Sequence, residues 1–139
     1  MARSQPPLDE VIHRSFEAWN TGDFEGWLEG AHPDVEYAPG IVIGQAEGER
    51  VVYSGREQLR EFFDEWHSRW QTHLTLESIE AVGERVLILC RMRMTGAQSG
   101  ASAEQEVGFV ARVEDEQLRR MDSYPTHEAA RAMAESSTP

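Results

Sequence analysis

The run Leu118-Arg119-Arg120-Met121-Asp122-Ser123-Tyr124 poses the first chemical question of this chain. Alternate residues of a strand share a face, so Leu118, Arg120, Asp122 and Tyr124 are expected on one side, with Arg119, Met121 and Ser123 on the other. Asp122 then stands beside Arg120 and Tyr124. Enclosed by apolar walls, its carboxyl would have a raised pKa and carry a proton near neutral pH; paired with Arg120 or with an arginine of the neighbouring strand, it would be depressed and structural. Tyr37, in Val35-Glu36-Tyr37, offers a phenol that could polarise a carbonyl or enolate oxygen, or a core ring whose polar end reaches water.

Further residues could bind a ligand. Arg91 and Arg93 share a strand face and suit an anionic or carbonyl-bearing molecule, although pairing with acids across the sheet or a dimer interface is favoured. Trp19, Phe63, Trp66 and Trp70 fall at helical spacing, which favours a core, and their rings could also line a cavity for a flat polycyclic ligand. His67 follows Trp66 and faces either the same cavity or solvent.

Composition removes several chemistries. The 139 residues include no Lys, which excludes Schiff-base catalysis. Cys90 is the only cysteine, so no intrachain disulfide forms, and its place in Val86-Leu87-Ile88-Leu89-Cys90 reads as a buried small hydrophobe. The histidines at 13, 32, 67, 73 and 127 lack metal-ligand spacing, and Gly96 to Gly100 lies between two strands rather than ahead of a helix, so neither a metal nor a phosphate-bearing cofactor is expected. A formal charge of −12 argues against nucleic acid. With no run of eighteen apolar residues, a soluble, cytoplasmic protein is expected.

The elements that must position these residues follow from periodicity. Leu8, Val11, Ile12, Phe16 and Trp19 form an amphipathic helical stripe that Asn20-Thr21-Gly22-Asp23 breaks. A short helix carries Phe24, Trp27 and Leu28, and Val35 to Tyr37 alternates as a brief strand. Ala38 to Tyr53 reads as a loop or irregular hairpin able to lid a pocket. Ser54-Gly55-Arg56-Glu57 reads as a capping box opening a long helix with Leu59, Phe62, Phe63, Trp66 and Trp70 buried. Period-two runs then follow over 74–79, 86–94, 107–113 and 118–124, an antiparallel meander of four strands. Thr126 caps a last helix over 128–134. One domain is expected over 8–134, with a disordered segment at 1–7 and a frayed tail at 135–139.

Ala18-Trp19-Asn20-Thr21-Gly22-Asp23-Phe24, His32-Pro33-Asp34-Val35-Glu36-Tyr37, Tyr53-Ser54-Gly55-Arg56-Glu57 before Phe62-Phe63, and Asp122-Ser123-Tyr124 before Glu128-Ala129-Ala130 together resemble SnoaL-like proteins of the NTF2-like superfamily. The resemblance implies an α+β, cystatin-like cone: a curved antiparallel sheet packed on a long helix, with two further N-terminal helices and an apolar pocket. It also implies dimerisation through the outer sheet face. Polyketide cyclases and limonene epoxide hydrolases of this superfamily use an acidic residue near this part of the last strand, and Asp122 resembles its counterpart. Two departures stand out. Where ketosteroid isomerases carry an Asp before a Pro, this chain has Ala38-Pro39-Gly40; where limonene epoxide hydrolases carry an Arg and an Asp two residues apart, it has Arg91-Met92-Arg93.

Three functions remain open from the sequence: an enzyme acting on a small, largely apolar carbonyl-bearing molecule through Asp122 and Tyr37, a noncatalytic ligand-binding module, or a homodimeric scaffold with a vestigial pocket. The homodimer expectation has its own physical basis. Val86, Ile88, Cys90, Met92 and Met94 fall on one face and Leu87 and Leu89 on the other, so one set would fill the cone and the other would meet a second copy.

Overall fold

Asn20, at the end of the first helical stripe, does more than break it. Its side-chain amide donates to the Leu74 carbonyl at 3.0 Å and accepts from the Leu74 N–H at 2.7 Å, so a helix end is fastened to a strand by a reciprocal pair of bonds. The computed structural model in which this is seen describes residues 6–39, 52–96 and 100–136. The proposed lid over Ala38–Tyr53 falls for the most part outside them.

Helix α1 spans Pro6–Thr21 and begins inside the segment expected to be disordered. Helix α2, Phe24–Leu28, is capped by Asp23, whose carboxylate accepts from the Gly26 N–H at 3.1 Å. Strand β1, Ala31–Ala38, is longer than the brief strand expected. β2 is the two residues Tyr53–Ser54, and α3 runs Gly55–Arg69. The capping box is not formed: the Ser54 side chain makes no cap bond, and the Ser54 N–H donates to Gln58 Oε1 at 2.8 Å instead. Trp70 also departs from expectation, since α3 stops at Arg69 and Trp70 opens β3, Trp70–Val82, in extended conformation. β4, Arg85–Gly96, β5, Ser102–Glu114, and β6, Gln117–Tyr124, complete the meander before α4, His127–Glu135. Thr126 caps α4 as expected, accepting from the Ala129 N–H at 3.0 Å.

The sheet order is β2-β1-β6-β5-β4-β3. All neighbours are antiparallel except β1 and β6, which run parallel. Two irregularities bend the meander. Between Leu76 and Ser78 the register of β3 slips against Cys90 and Leu89 of β4. Between Leu118 and Arg120 two steps of β6 oppose a single step of β5, from Val113 to Arg112, which makes Arg119 the extra residue of a bulge.

The concave face packs on α1 and α3 through Ile12, Phe16, Trp19, Leu59, Phe62 and Trp66, against Ile88, Cys90, Met92, Val107 and Phe109 of the sheet. The convex face is not left for a partner at its apolar centre. Helix α4 lays Ala130 and Ala134 over Leu87, Leu89 and Val110, so the set left outside the cone, expected to meet a second copy, is covered by this chain's own helix. Gly108 permits this contact, because a Cβ there would stand 2.4 Å from the Ala130 Cβ. His127 pins the start of α4: its Nε2 donates to the Cys90 carbonyl at 2.7 Å, and its backbone N–H donates to Glu106 Oε1 at 2.8 Å. Among the described residues no helix is long and apolar enough to cross a membrane.

Candidate functional site

The bulge at Arg119 decides which side chains of β6 enter the cone. Leu118 points inward and is 5 % exposed. One extra residue then reverses the parity, so Met121 and the fully buried Ser123 take the inward positions while Arg120 and Asp122 face out. The pairing partners agree, because Ser123 lies opposite Phe109 of the inner core and Asp122 opposite Val110 of the outer one. Leu118 therefore does not share a face with Arg120 and Asp122 as strict alternation predicts. Asp122, expected in the apolar cone, stands on the opposite side of the sheet.

There Arg120 grips Asp122 with both arms of its guanidinium, Nε to Oδ1 at 2.8 Å and Nη2 to Oδ2 at 3.0 Å. Its Nη1 donates to Glu36 of β1 at 3.2 Å. The hydrogen bonding to Asp122 raises the Arg120 pKa above its ordinary value, outweighing the opposite effect of burial, and Glu36 adds to it. This bidentate geometry fixes a carboxylate and orders β6 against β1. Tyr124 lies on this outer side as well, packed against the cluster under α4. Arg91 and Arg93 are also outside the cone, paired with Glu77 at 3.5 Å and Glu104 at 4.0 Å, the cross-sheet pairing that their spacing favoured.

Inside the cone the chemistry is aromatic. Trp19 stacks on Phe62 with ring centroids 6.0 Å apart, and Tyr37 meets Phe62 edge-on at 5.2 Å. Trp27, from the short α2, closes on Trp19 at 5.2 Å. Met92, Met121 and Leu74 supply the sheet wall, and the cavity they leave measures about 30 Å³. Both indoles are anchored by Thr72, whose Oγ1 accepts from Trp19 Nε1 at 2.8 Å and from Trp66 Nε1 at 3.4 Å. Among the described residues lining this cavity there is no carboxylate, histidine or arginine, so the walls offer ring faces and the Tyr37 phenol.

The structure thus brings Trp19, Tyr37 and Trp66 together. Phe63 and His67 sit behind that wall: the Phe63 ring stacks on the His67 ring at 4.1 Å and meets Trp19 edge-on at 5.4 Å. His67 ties two helices, with Nδ1 2.8 Å from the Phe63 carbonyl oxygen and Nε2 3.0 Å from that of Trp19. Sequence reasoning missed Thr72 and Met121. A single Thr in a strand carries no signal, and Met121 required the bulge to be known.

A grouping of His32, Glu114 and Asp115 brings potential ligand atoms within 4.8 Å of one another. His32 Nδ1 accepts the Asp34 N–H at 3.0 Å, which places the proton of a neutral ring on Nε2, facing Asp115 at 4.0 Å. That is a turn contact rather than a lone pair offered to a cation.

The convex face carries a second, larger concavity of about 440 Å³ beside α4, lined by Arg85, Arg112, Arg119 and Arg120 with Glu36, Glu114 and Asp122 among them.

The model of the SnoaL-like domain matches residues 12–121. Among solved structures, an NTF2-like protein of unknown function from Burkholderia pseudomallei is similar at 19% identity and a TM-score of 0.75, over 94% of this chain and 98% of that one. TerC, co-crystallised with polyporic acid, is 24% identical with a TM-score of 0.74, over 94% and 99%. A putative polyketide cyclase from Xanthomonas campestris pv. campestris is 18% identical with a TM-score of 0.70, over 94% and 98%. At these identities the likeness establishes the fold. No curated protein matches the chain.

Proposed function

The chain belongs to the SnoaL-like domain family, and from that premise we propose that it binds one small, flat, largely apolar molecule among the rings of its cone, as a binding module rather than a proton-transfer catalyst. The observation that carries this reading is the lining: tryptophan, phenylalanine and methionine walls whose only titratable group among the described residues is the Tyr37 phenol. Aromatic faces of this kind favour offset and edge-on contacts with a planar guest. The ligand class draws support from relatives, since TerC was crystallised with polyporic acid and another neighbour is a putative polyketide cyclase.

A cavity of about 30 Å³ holds little more than a water, so a guest has to displace a ring. Trp27 is the candidate. It is half-buried, it stands on a five-residue helix, and its contacts with Trp19 and Phe63 are ring contacts that a planar ligand reproduces. In this reading Asp122 is a structural ion-pair partner on the far face, and Tyr37 lines the site.

Titration of tryptophan emission with flavone as the first probe, followed by other flat aromatic ketones, tests the proposal. Saturable binding is expected. Phe62→Ala, which enlarges the cavity, should tighten it, and Met121→Arg should abolish it while circular dichroism shows the fold retained. Absence of saturable binding across the panel, or binding unchanged in both variants, would sink the reading. Consumption of the probe would overturn its noncatalytic part.

A further inference from the structure

Arg85 of β4, Arg112 of β5 and Arg120 of β6 occupy one lateral row, because Arg85 pairs in register with Arg112 and Arg112 with Arg120. Like charges directly opposite one another weaken a sheet, and here three follow in succession in a chain of net charge −12. The outer two are occupied. Arg85 Nη1 donates to the Met133 and Ser136 carbonyls at the end of α4, at 2.7 and 3.0 Å. Arg120 holds Asp122 and Glu36. Neighbouring Arg119 faces Glu114 at 3.6 Å and donates to the Asp34 carbonyl at 2.6 Å. Arg112, the middle cation, is exposed and has no acidic partner within 4.0 Å among the described residues.

The row forms the floor of the 440 Å³ concavity on the convex face, a volume within the range of small-molecule sites. From this we infer that the convex groove is a second binding site, separate from the cone, that takes a small monocarboxylate with an apolar body, the carboxylate seated on Arg112. A carboxylate matches the planar fork of a guanidinium, and Arg85 and Arg120 on either side add their field. The apolar body has its own wall in Val110, Tyr124 and Met133, the last of which is 47% exposed. The restriction to one negative charge follows from Glu36, Glu114 and Asp122, which line the same groove and repel a polyanion or an acidic peptide.

The inference is independent of the cone and is tested apart from it. Amide chemical shifts are followed at low ionic strength while benzoate is added, with benzamide as the uncharged isostere and inorganic phosphate as competitor. Saturable changes centred on Val110, Arg112 and Tyr124 are expected with benzoate and not with benzamide. Arg112→Gln, a change at an exposed position, should raise the dissociation constant by about tenfold through loss of the charge-assisted bond. Changes centred on Leu74 and Met92 would place the molecule in the cone and overturn the site. So would equal shifts with benzamide, or a dissociation constant in Arg112→Gln within twofold of the original. Displacement of benzoate by an equal concentration of phosphate would overturn the need for an apolar body.

Discussion

Thr72→Val removes one hydroxyl that two tryptophans share. Thr72, Trp19 and Trp66 are all at least nine-tenths buried, so neither indole N–H can turn to water when its acceptor is lost. A buried donor left unsatisfied costs about 1–3 kcal/mol. The Trp19 bond at 2.8 Å carries most of that, and the Trp66 bond at 3.4 Å is near the limit of a hydrogen bond. Offset by the extra methyl that Val buries, about 0.8 kcal/mol, the net loss comes to about 1–2 kcal/mol. Unfolding entropy scales with length, and for 139 residues each kcal/mol lowers Tm by about 3 °C, so a fall of about 3–6 °C is expected. Calorimetry on the two proteins measures it, with Thr72→Ser as the control that keeps the acceptor. A shift under about 2 °C for the valine variant, or an equal loss for the serine variant, would show that the hydroxyl does not hold the rings.

Four further outcomes follow from the same geometry. Gly108→Val drives a side chain into Ala130, 2.4 Å from its first carbon, and should cost about 1–3 kcal/mol while loosening α4, read as faster amide exchange over His127–Glu135. Glu116→Gly relieves a left-handed backbone at φ 64 in the β5–β6 turn and should stabilise by about 0.5–1 kcal/mol in urea denaturation. The Cys90 thiol is fully buried and its pKa is pushed well up, mainly by that burial; iodoacetamide at pH 8 should label it only as fast as the chain unfolds. With Leu87 and Leu89 under α4, and Val52 and Met133 the large hydrophobics exposed among the described residues, light scattering should give the 15.8 kDa of a single chain rather than the expected homodimer.

What could be read from the sequence were the repeating patterns. The stripe from Val11 to Trp19 and the run from Leu59 to Trp66 each report one buried face, because burial repeats with the period of the backbone, and the unbroken apolar run from Val86 to Cys90 reports burial on both faces of β4. Thr126 was legible as a cap from local chemistry, whereas Asp23 was read only as part of the break after α1. Single events that interrupt a period were not. Nothing in Leu118-Arg119-Arg120 distinguishes a regular strand from one with Arg119 in a bulge, and that residue alone moved Asp122 from the cone to the outer face. Nor could the sequence show that Gly108 and Ala130 meet, since close approach between distant elements is a property of packing and leaves no periodic trace.

The bulge has a consequence for function as well as for register. Arg120 and Asp122, turned outward, become part of an ionic surface where Glu36, Arg119 and Glu114 complete the pairing. Met121, turned inward, puts a polarisable apolar side chain into the cone where alternation would have put a carboxylate. Buried in such a place and away from any cation, a carboxylate would be held protonated near neutral pH and able to transfer that proton. The same fold with the opposite parity on one strand would therefore carry an acid inside its cone, at the place where Met121 lines the cavity here. Among the described residues, ring faces and aliphatic chains line the cavity on the concave side, and the ion pairs of β6 stand on the convex side.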